Sequence, residues 1–307
     1  MADAAYLNQA NETALPVASG SHVSDFVALL KPRVMTLVVF SGAVGLFIAP
    51  GALHPLLAVV AILCIAVGSG AAGAINMWYD RDIDALMSRT KNRPIPAGRV
   101  PPGAALGFGI TLAVASVAIM ALAVNGVAAG LLAFTIFFYV VIYSMALKRR
   151  TPQNIVIGGA AGAFPPMIGW AAVGGDIALA SIVLFAIIFL WTPPHFWALA
   201  LYKKGDYDKA GVPMLPVVAG RETTAWQMFV YTAALLPVTL LPCIIGLSGM
   251  VYGAGALVLG VLFLACAVNV IRDKSDRSAR RMFPFSILYL FLIFVLLLVD
   301  QSLWIAV

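Results

Sequence analysis

Long apolar runs, separated by short polar segments, make up almost all of this chain. Each run approaches the roughly 20 residues that a helix needs to cross the hydrocarbon core of a bilayer. Hydropathy predicts nine such spans, at residues 26–49, 55–78, 103–123, 127–147, 153–174, 178–201, 224–246, 250–271 and 282–300. The pattern therefore indicates an all-α, polytopic membrane protein with nine transmembrane helices.

The amino-terminal segment differs from the rest of the chain. Residues 1–25 are polar and small, and we expect a flexible tail there, followed by one intramembrane domain over residues 26–307. The tail contains three acids and no Lys or Arg, which fits neither a signal peptide nor an Arg-rich transit peptide. We therefore expect a bacterial inner (plasma) membrane protein.

Charge is scarce and unevenly placed. Only 10% of the residues are charged, against about 25% in an ordinary soluble domain. All 19 Lys and Arg fall in the tail-proximal end or in alternate loops, whereas the intervening loops carry none. Basic loops stay in the cytoplasm, so we expect a cytoplasmic amino terminus. The same bias accounts for the net charge of +6, and we expect no nucleic-acid partner.

The strongest polar motif lies at the cytoplasmic end of the second span. Asn76, Asp80 and Asp84 are spaced four residues apart, so a helix would place their oxygen atoms on one face. A hard divalent cation would relieve the repulsion between the acids. The alternative is an ordinary solvated helix end, but Asn76 lies at membrane depth, where polar groups usually face a cavity. We therefore favour a metal site.

Cations and a second acidic segment accompany this motif on the same face. Arg89, Lys91 and Arg93 follow the first motif, and such groups can share the charge of a diphosphate with Mg²⁺. Each of them also satisfies the positive-inside rule alone. Asp206 and Asp208 follow the sixth span, but their spacing places them on different sides of a helix, so only one is expected to face a metal.

His195 lies inside the sixth span, next to two prolines that interrupt the helix hydrogen bonds. A buried histidine is most often simply hydrogen-bonded in the core. The other reading is a residue that contacts or orients a substrate. Cys64, Cys243 and Cys266 lie in apolar spans without metal-ligand spacing, and we expect neither disulfides nor a thiolate metal site.

The first motif, with the following Met87, Arg89-Thr90 and Arg93-Pro94, resembles the first aspartate-rich motif of the UbiA superfamily of intramembrane prenyltransferases. The resemblance extends over the whole nine-span length and implies helices arranged around a central cavity. Further segments resemble the branch of this superfamily that prenylates haem: Tyr143, Lys148-Arg149, Thr151, Asn154, 157–170, 192–197 and 206–216. Members with phenolic acceptors generally have two acids four residues apart in the second motif. In this chain the residue four positions before Asp206 is Tyr202 rather than an acid.

The resemblance implies a Mg²⁺-dependent transfer of a farnesyl group from farnesyl diphosphate to haem b in the lipid bilayer, with haem A synthase or terminal oxidase assembly downstream. The implied catalytic and metal ligands are Asn76, Asp80, Asp84 and Asp206, with Asp208 as a further metal candidate. The implied diphosphate-binding residues are Arg89, Lys91, Arg93, Lys148 and Lys203. The implied acceptor and prenyl pocket consists of Trp78, Tyr79, Tyr143, Asn154, His195, Phe196, Trp197 and Tyr202.

Three other functions remain open at this stage. A prenyltransferase with a 4-hydroxybenzoate or quinone-precursor acceptor would share the metal site and differ in its acceptor pocket. A haem-binding assembly factor would use the pocket without chemistry. A membrane transporter is the third alternative, although transporters hold their functional polar groups near the midplane, and the acidic motifs here lie at the cytoplasmic edge.

Overall fold

The computed structural model describes residues 21–305, and every regular element in that range is helical. In chain order the helices are α1 (Val23–Leu29), α2 (Pro32–Ile48), α3 (Pro55–Tyr79), α4 (Arg81–Leu86), α5 (Pro102–Ile119), α6 (Gly126–Phe137), α7 (Asn154–Ala163), α8 (Pro165–Gly174), α9 (Leu179–Tyr202), α10 (Lys204–Lys209), α11 (Leu215–Val218), α12 (Gly220–Ile244), α13 (Met250–Arg272) and α14 (Asp276–Ile305). Helices α5 and α6 continue as π-helix over Met120–Val124 and Phe138–Leu147.

The predicted set of nine spans is confirmed. Eight helical segments of the described chain are long and apolar enough to cross a membrane, with α7 and α8 together forming one of them. The ninth span is the pair α1 and α2, whose axes are bent by 54°. The last span, α14, begins at Asp276, six residues before its predicted start, because its first turns are polar and precede the apolar stretch.

The bend between α1 and α2 occurs at Lys31, which has a φ of 53° and lies immediately before Pro32. A residue that precedes proline is disfavoured in the α conformation, so the helix is interrupted and restarts with proline in its first turn. Residues 23–25, expected in the flexible tail, instead form the start of α1, and Asp25 pairs with Arg99 at 2.7 Å. The predicted tail over residues 1–20 lies outside the described residues.

Close helix packing holds the first half of the bundle together. A Cβ added at Gly45 would lie 2.0 Å from the Pro166 carbonyl oxygen, and one at Gly169 would lie 2.0 Å from the Gly42 oxygen. Glycine at these positions lets the α2 and α8 backbones touch, as small residues commonly do between membrane helices. The α2–α8 contact thereby fixes the helix that starts at Lys31.

The second half is built around a large aromatic and aliphatic core of α9, α12, α13 and α14, in which Trp197, Phe263 and Tyr289 are fully buried. The long connections 80–101 and 203–219 emerge at the same end of the bundle, after α3 and α9, and contain the short helices α4, α10 and α11. Both acidic motifs belong to these connections, so the fold brings them to one rim.

Candidate active site

The first acidic motif forms a buried hydrogen-bonded ladder. Asn76 donates from Nδ2 to Asp80 Oδ2 at 2.7 Å and to Ser144 Oγ at 3.0 Å. Helix α3 ends at Tyr79, but the Asp84 amide still bonds to the Asp80 carbonyl at 2.8 Å, which preserves the four-residue spacing across the break. Both side-chain amide hydrogens of Asn76 are therefore donated, and its Oδ1 atom remains to accept a hydrogen bond.

Each of these three polar side chains has a cation beside it. Lys31 Nζ donates to Asn76 Oδ1 at 2.8 Å, and Arg93 pairs with Asp84 at 2.6 Å. Lys148 Nζ pairs with Asp80 Oδ2. Such pairing offsets part of the cost of burying a carboxylate, because a buried charge without a partner is strongly destabilising.

Burial separates the motif from an ordinary solvated helix end. Asp80 is 0% exposed and Asp84 is 2% exposed, so the solvated alternative is wrong for both. Asp82, between them in the sequence, is by contrast a solvated acid. Its side chain is 60% exposed and makes a bidentate pair with Arg149 at 2.6 and 2.7 Å. The Arg149 hydrogen bonds lower the pKa of Asp82.

The second acidic segment meets the first through a side-chain contact. Ser88 Oγ donates to Asp206 Oδ2 at 2.6 Å, and this hydrogen bond holds the pKa of Asp206 below its ordinary value. Behind the contact, Ile83 and Met87 pack in one apolar cluster with Tyr207. The two loops therefore form a single unit. Asp208, two residues further along α10, is exposed.

The oxygen atoms of this cluster suit a divalent cation that is also bound by water or substrate. Among residues 21–305, no three Asp, Glu, His or Cys side chains converge closely enough to hold a metal by themselves. Asp80 Oδ1, however, is buried without a hydrogen-bond partner, and the Arg149 guanidinium is 3.6 Å from it. Mg²⁺ usually takes one or two carboxylates and completes its shell with water and substrate phosphate. The residues present fit such an ion.

Aromatic and amide groups line the approach to the acids. Tyr143 stacks obliquely on Tyr139, with ring centroids 5.3 Å apart, and contacts the backbone at Gly158, where a Cβ would be 2.1 Å from its ring. Asn154 is fully buried; its Nδ2 donates to the Lys148 carbonyl at 3.2 Å, while its Oδ1 has no partner. Asn154 thus fixes the backbone from which Lys148 reaches Asp80.

His195 lies on α9 and packs against α14. Its ring stacks between Trp191, at 4.3 Å, and Phe283, at 4.7 Å. Its Nδ1 lies 2.7 Å from Ser286 Oγ, whose own hydrogen is donated to the Phe283 carbonyl at 2.6 Å. Ser286 must therefore accept from His195, which places the proton on Nδ1 and leaves a lone pair on Nε2.

The other expected site residues divide into several environments. Trp78 lies beneath Arg81, and Tyr79 lies beneath Arg149, with cation-to-ring distances of 5.6 and 4.9 Å. Phe196 is 37% exposed, whereas Trp197 is buried against Tyr231 on the opposite side of α9 from His195. The structure therefore does not bring Trp197 together with His195. Three expected diphosphate ligands make no ion pair within residues 21–305: Arg89, Lys91 and Lys203.

Sequence reasoning missed Lys31, Ser88, Tyr139 and Ser144 as site residues. In the sequence Lys31 counts only as one of the 19 basic residues that orient the chain, and the remaining three have no spacing signal. The Lys31-Pro32 dipeptide inside a long apolar run was a usable signal, because it marks a helix break. A cation at such a break can turn back toward the bundle interior.

Comparison with known proteins assigns the family. The sequence model of the UbiA prenyltransferase family matches residues 38–298, and the chain belongs to this family. The chain is 59% identical to a protoheme IX farnesyltransferase of Parvibaculum lavamentivorans, over 99% of this chain and 96% of that protein. It is 56% identical to the protoheme IX farnesyltransferase of Granulibacter bethesdensis, over 98% and 99%. The transporter alternative is therefore wrong.

Solved structures support the same fold. A digeranylgeranylglyceryl phosphate synthase structure has a TM-score of 0.76 at 17% identity and covers 91% of this chain and 98% of its own. A UbiA homologue from Archaeoglobus fulgidus, bound to GPP and Mg²⁺, has a TM-score of 0.63 at 18% identity and covers 89% and 99%. These likenesses establish the UbiA fold for this chain.

Proposed function

We propose that this chain transfers the farnesyl group of farnesyl diphosphate to a vinyl group of haem b, with addition of water, giving haem O and diphosphate. The observation that carries the proposal is identity of 56–59%, over nearly the whole chain, to proteins named protoheme IX farnesyltransferase. The buried cluster where the two acidic loops meet supplies groups suited to the first chemical step.

That step is the cleavage of the allylic carbon–oxygen bond, which places negative charge on the departing diphosphate. We propose that Asn76, Asp80, Asp84 and Asp206 hold Mg²⁺, with the unpartnered Asp80 Oδ1 as the supporting observation. The ion would neutralise the developing phosphate charge. Exposed Asp208 is a weaker candidate than Asp206, which contacts the first loop.

The basic residues have a complementary role. Lys31, Lys148 and Arg93 now bond to the motif's oxygens, and each can turn to phosphate oxygens once a divalent ion occupies those acceptors. Arg89, Lys91 and Lys203 surround the same rim and supply further donors. Interactions that strengthen as the bond breaks lower the barrier selectively.

The remaining residues protect and direct the allyl cation. The rings of Tyr139 and Tyr143 pack together, Lys31 Nζ lies 6.0 Å from the Tyr139 centroid, and such ring faces can stabilise positive charge. An apolar bilayer-embedded pocket keeps water from the cation until the haem vinyl carbon has attacked. Water then adds to the resulting cation on the porphyrin side, and loss of its proton leaves a hydroxyethylfarnesyl group.

We further propose that the chain resides in a bacterial inner membrane, with the acidic rim facing the cytoplasm and haem A synthase or oxidase assembly receiving the product. The basic loops support this orientation. The test is to express the chain in a haem-O-deficient bacterium and extract its haem. Mass spectrometry should show that haem b has gained one farnesyl group and one hydroxyl group, which convert its vinyl group to hydroxyethylfarnesyl; unmodified haem b from membranes that contain the folded protein would contradict the proposal.

A further inference from the structure

A column of aromatic rings runs from the cytoplasmic rim into the bundle between α9 and α14. At its top, the Arg280 guanidinium lies over the Tyr202 ring, 5.0 Å from the centroid. Tyr202 meets Phe283 edge-on at 6.3 Å, and Phe283 stacks on His195 at 4.7 Å. The column thus joins an exposed cation to a deeply buried polar ring.

Arg280 is not committed to a structural ion pair. Other cations nearby do form ion pairs. Arg221 pairs with Asp276 at 3.3 Å, and Lys274 pairs with Glu222 at 3.0 Å. Within residues 21–305, Arg280 has no carboxylate within 4 Å. The Arg280 guanidinium is therefore free to pair with a ligand at the exposed end of the column.

We propose that Arg280 anchors a propionate of the haem acceptor and that Tyr202 and Phe283 border its macrocycle. This inference rests on the proposed function. A guanidinium recognises a carboxylate through paired hydrogen bonds, and aromatic side chains favour a flat π-system. Haem b carries its propionates on the edge opposite its vinyl groups. Anchoring the propionate edge at Arg280 therefore fixes the direction in which the vinyl edge points.

The alternative is that Arg280 serves only as one of the cytoplasmic cations that orient the chain. Arg281 provides the matched control, because it is also exposed and makes no ion pair or ring contact within the described chain. The experiment compares Arg280→Gln, Arg280→Lys and Arg281→Gln in the full-length protein. Haem b and its dimethyl ester, which lacks both carboxylates, serve as acceptors.

For Arg280→Gln, we expect both the Kd and the KM of haem b to rise about tenfold, which is a loss of roughly 1.4 kcal/mol of binding free energy. The Kd is measured by absorbance titration. The values for the dimethyl ester and for farnesyl diphosphate should stay unchanged. Arg280→Lys should lose about threefold, because charge remains while the planar pairing is lost. Arg281→Gln should match the wild type.

Two results would contradict the role of Arg280 as an anchor. One is the same Kd and KM for haem b in Arg280→Gln and Arg281→Gln; the other is an equal loss of affinity for haem b and its dimethyl ester in Arg280→Gln. Failure of the proposed function gives a different result. In that case the wild type would not convert haem b, while the titration would still report whether haem binding depends on Arg280.

Discussion

Ser88 Oγ donates a hydrogen bond to Asp206 Oδ2 across 2.6 Å, although the two residues are 118 positions apart in the chain. This contact joins the loop after α3 to the loop after α9. It places the second acidic segment beside the buried ladder of Asn76, Asp80 and Asp84. The site is therefore assembled from both halves of the bundle, and each half can be tested separately.

The first prediction concerns the buried acids. Asp80→Ala and Asp84→Ala should each lower the rate of diphosphate release by about a thousandfold, because each removes a charge that acts mainly on the transition state. Membrane insertion should remain intact. Asp82→Asn is the control: its carboxylate is exposed and its ion pair is worth about 1 kcal/mol or less. Rapid release by either alanine variant would contradict the metal-site account.

The second prediction concerns Lys31. Lys31→Met keeps the length of the side chain but removes its hydrogen bond to Asn76 Oδ1. We expect the KM for farnesyl diphosphate to rise about tenfold, since a charge-assisted hydrogen bond contributes about 1.5–3 kcal/mol. Arg33→Met, two residues along and exposed, should leave the KM unchanged. If Lys31→Met and Arg33→Met had equal effects on the KM in steady-state kinetics, Lys31 would serve only to orient the chain in the membrane.

The third prediction separates the two acids of the second segment. Asp206→Asn should raise the Mg²⁺ concentration needed for half-maximal activity by about tenfold, because a ligand charge and the Ser88 contact are both weakened. Asp208→Asn should change it by less than about twofold, as its carboxylate is exposed. A magnesium titration of initial rates provides the measurement. The reverse order of effects would place the ligand at Asp208.

The fourth prediction concerns His195. Replacement by Ala should raise the KM for haem b about fivefold or more, because the lone pair on His195 Nε2 is free to contact the acceptor. The KM for farnesyl diphosphate should change less than twofold. Ser286→Ala should show a smaller loss of the same kind, because it removes the partner that orients the ring. His54→Ala, at the exposed N-cap position that precedes α3, is the control. Equal losses for both substrates would indicate a packing role.

The fifth prediction concerns helix packing. Gly45→Ala would put a Cβ 2.0 Å from the Pro166 oxygen, so the α2 and α8 backbones must separate. We expect a loss of about 1–3 kcal/mol and a lower thermal midpoint in detergent. Gly107→Ala, in α5 with open space around its Cβ, should stabilise the protein by up to about 1 kcal/mol. Equal midpoints for both variants would show that α2 and α8 can separate at no cost.

The sequence predicted the spans well because bilayer thickness dictates their length, and the predicted α3 and α9 end within about two residues of Tyr79 and Tyr202. It also predicted the Asn76–Asp80 pairing, since helix geometry alone stacks residues four apart. It could not pair Ser88 with Asp206 or place Arg280 over Tyr202. Those contacts depend on how distant spans pack, which periodicity along one helix does not encode.

The most direct test of the central claim uses the purified protein with farnesyl diphosphate and haem b, followed by mass spectrometry of the haem. With Mg²⁺, the haem should gain one farnesyl group and one hydroxyl group, and chelation of the metal or Asp80→Ala should abolish that gain. Prenylated 4-hydroxybenzoate from the same protein alongside unmodified haem b would contradict the acceptor. Haem O formation that persists after chelation would contradict the role of magnesium.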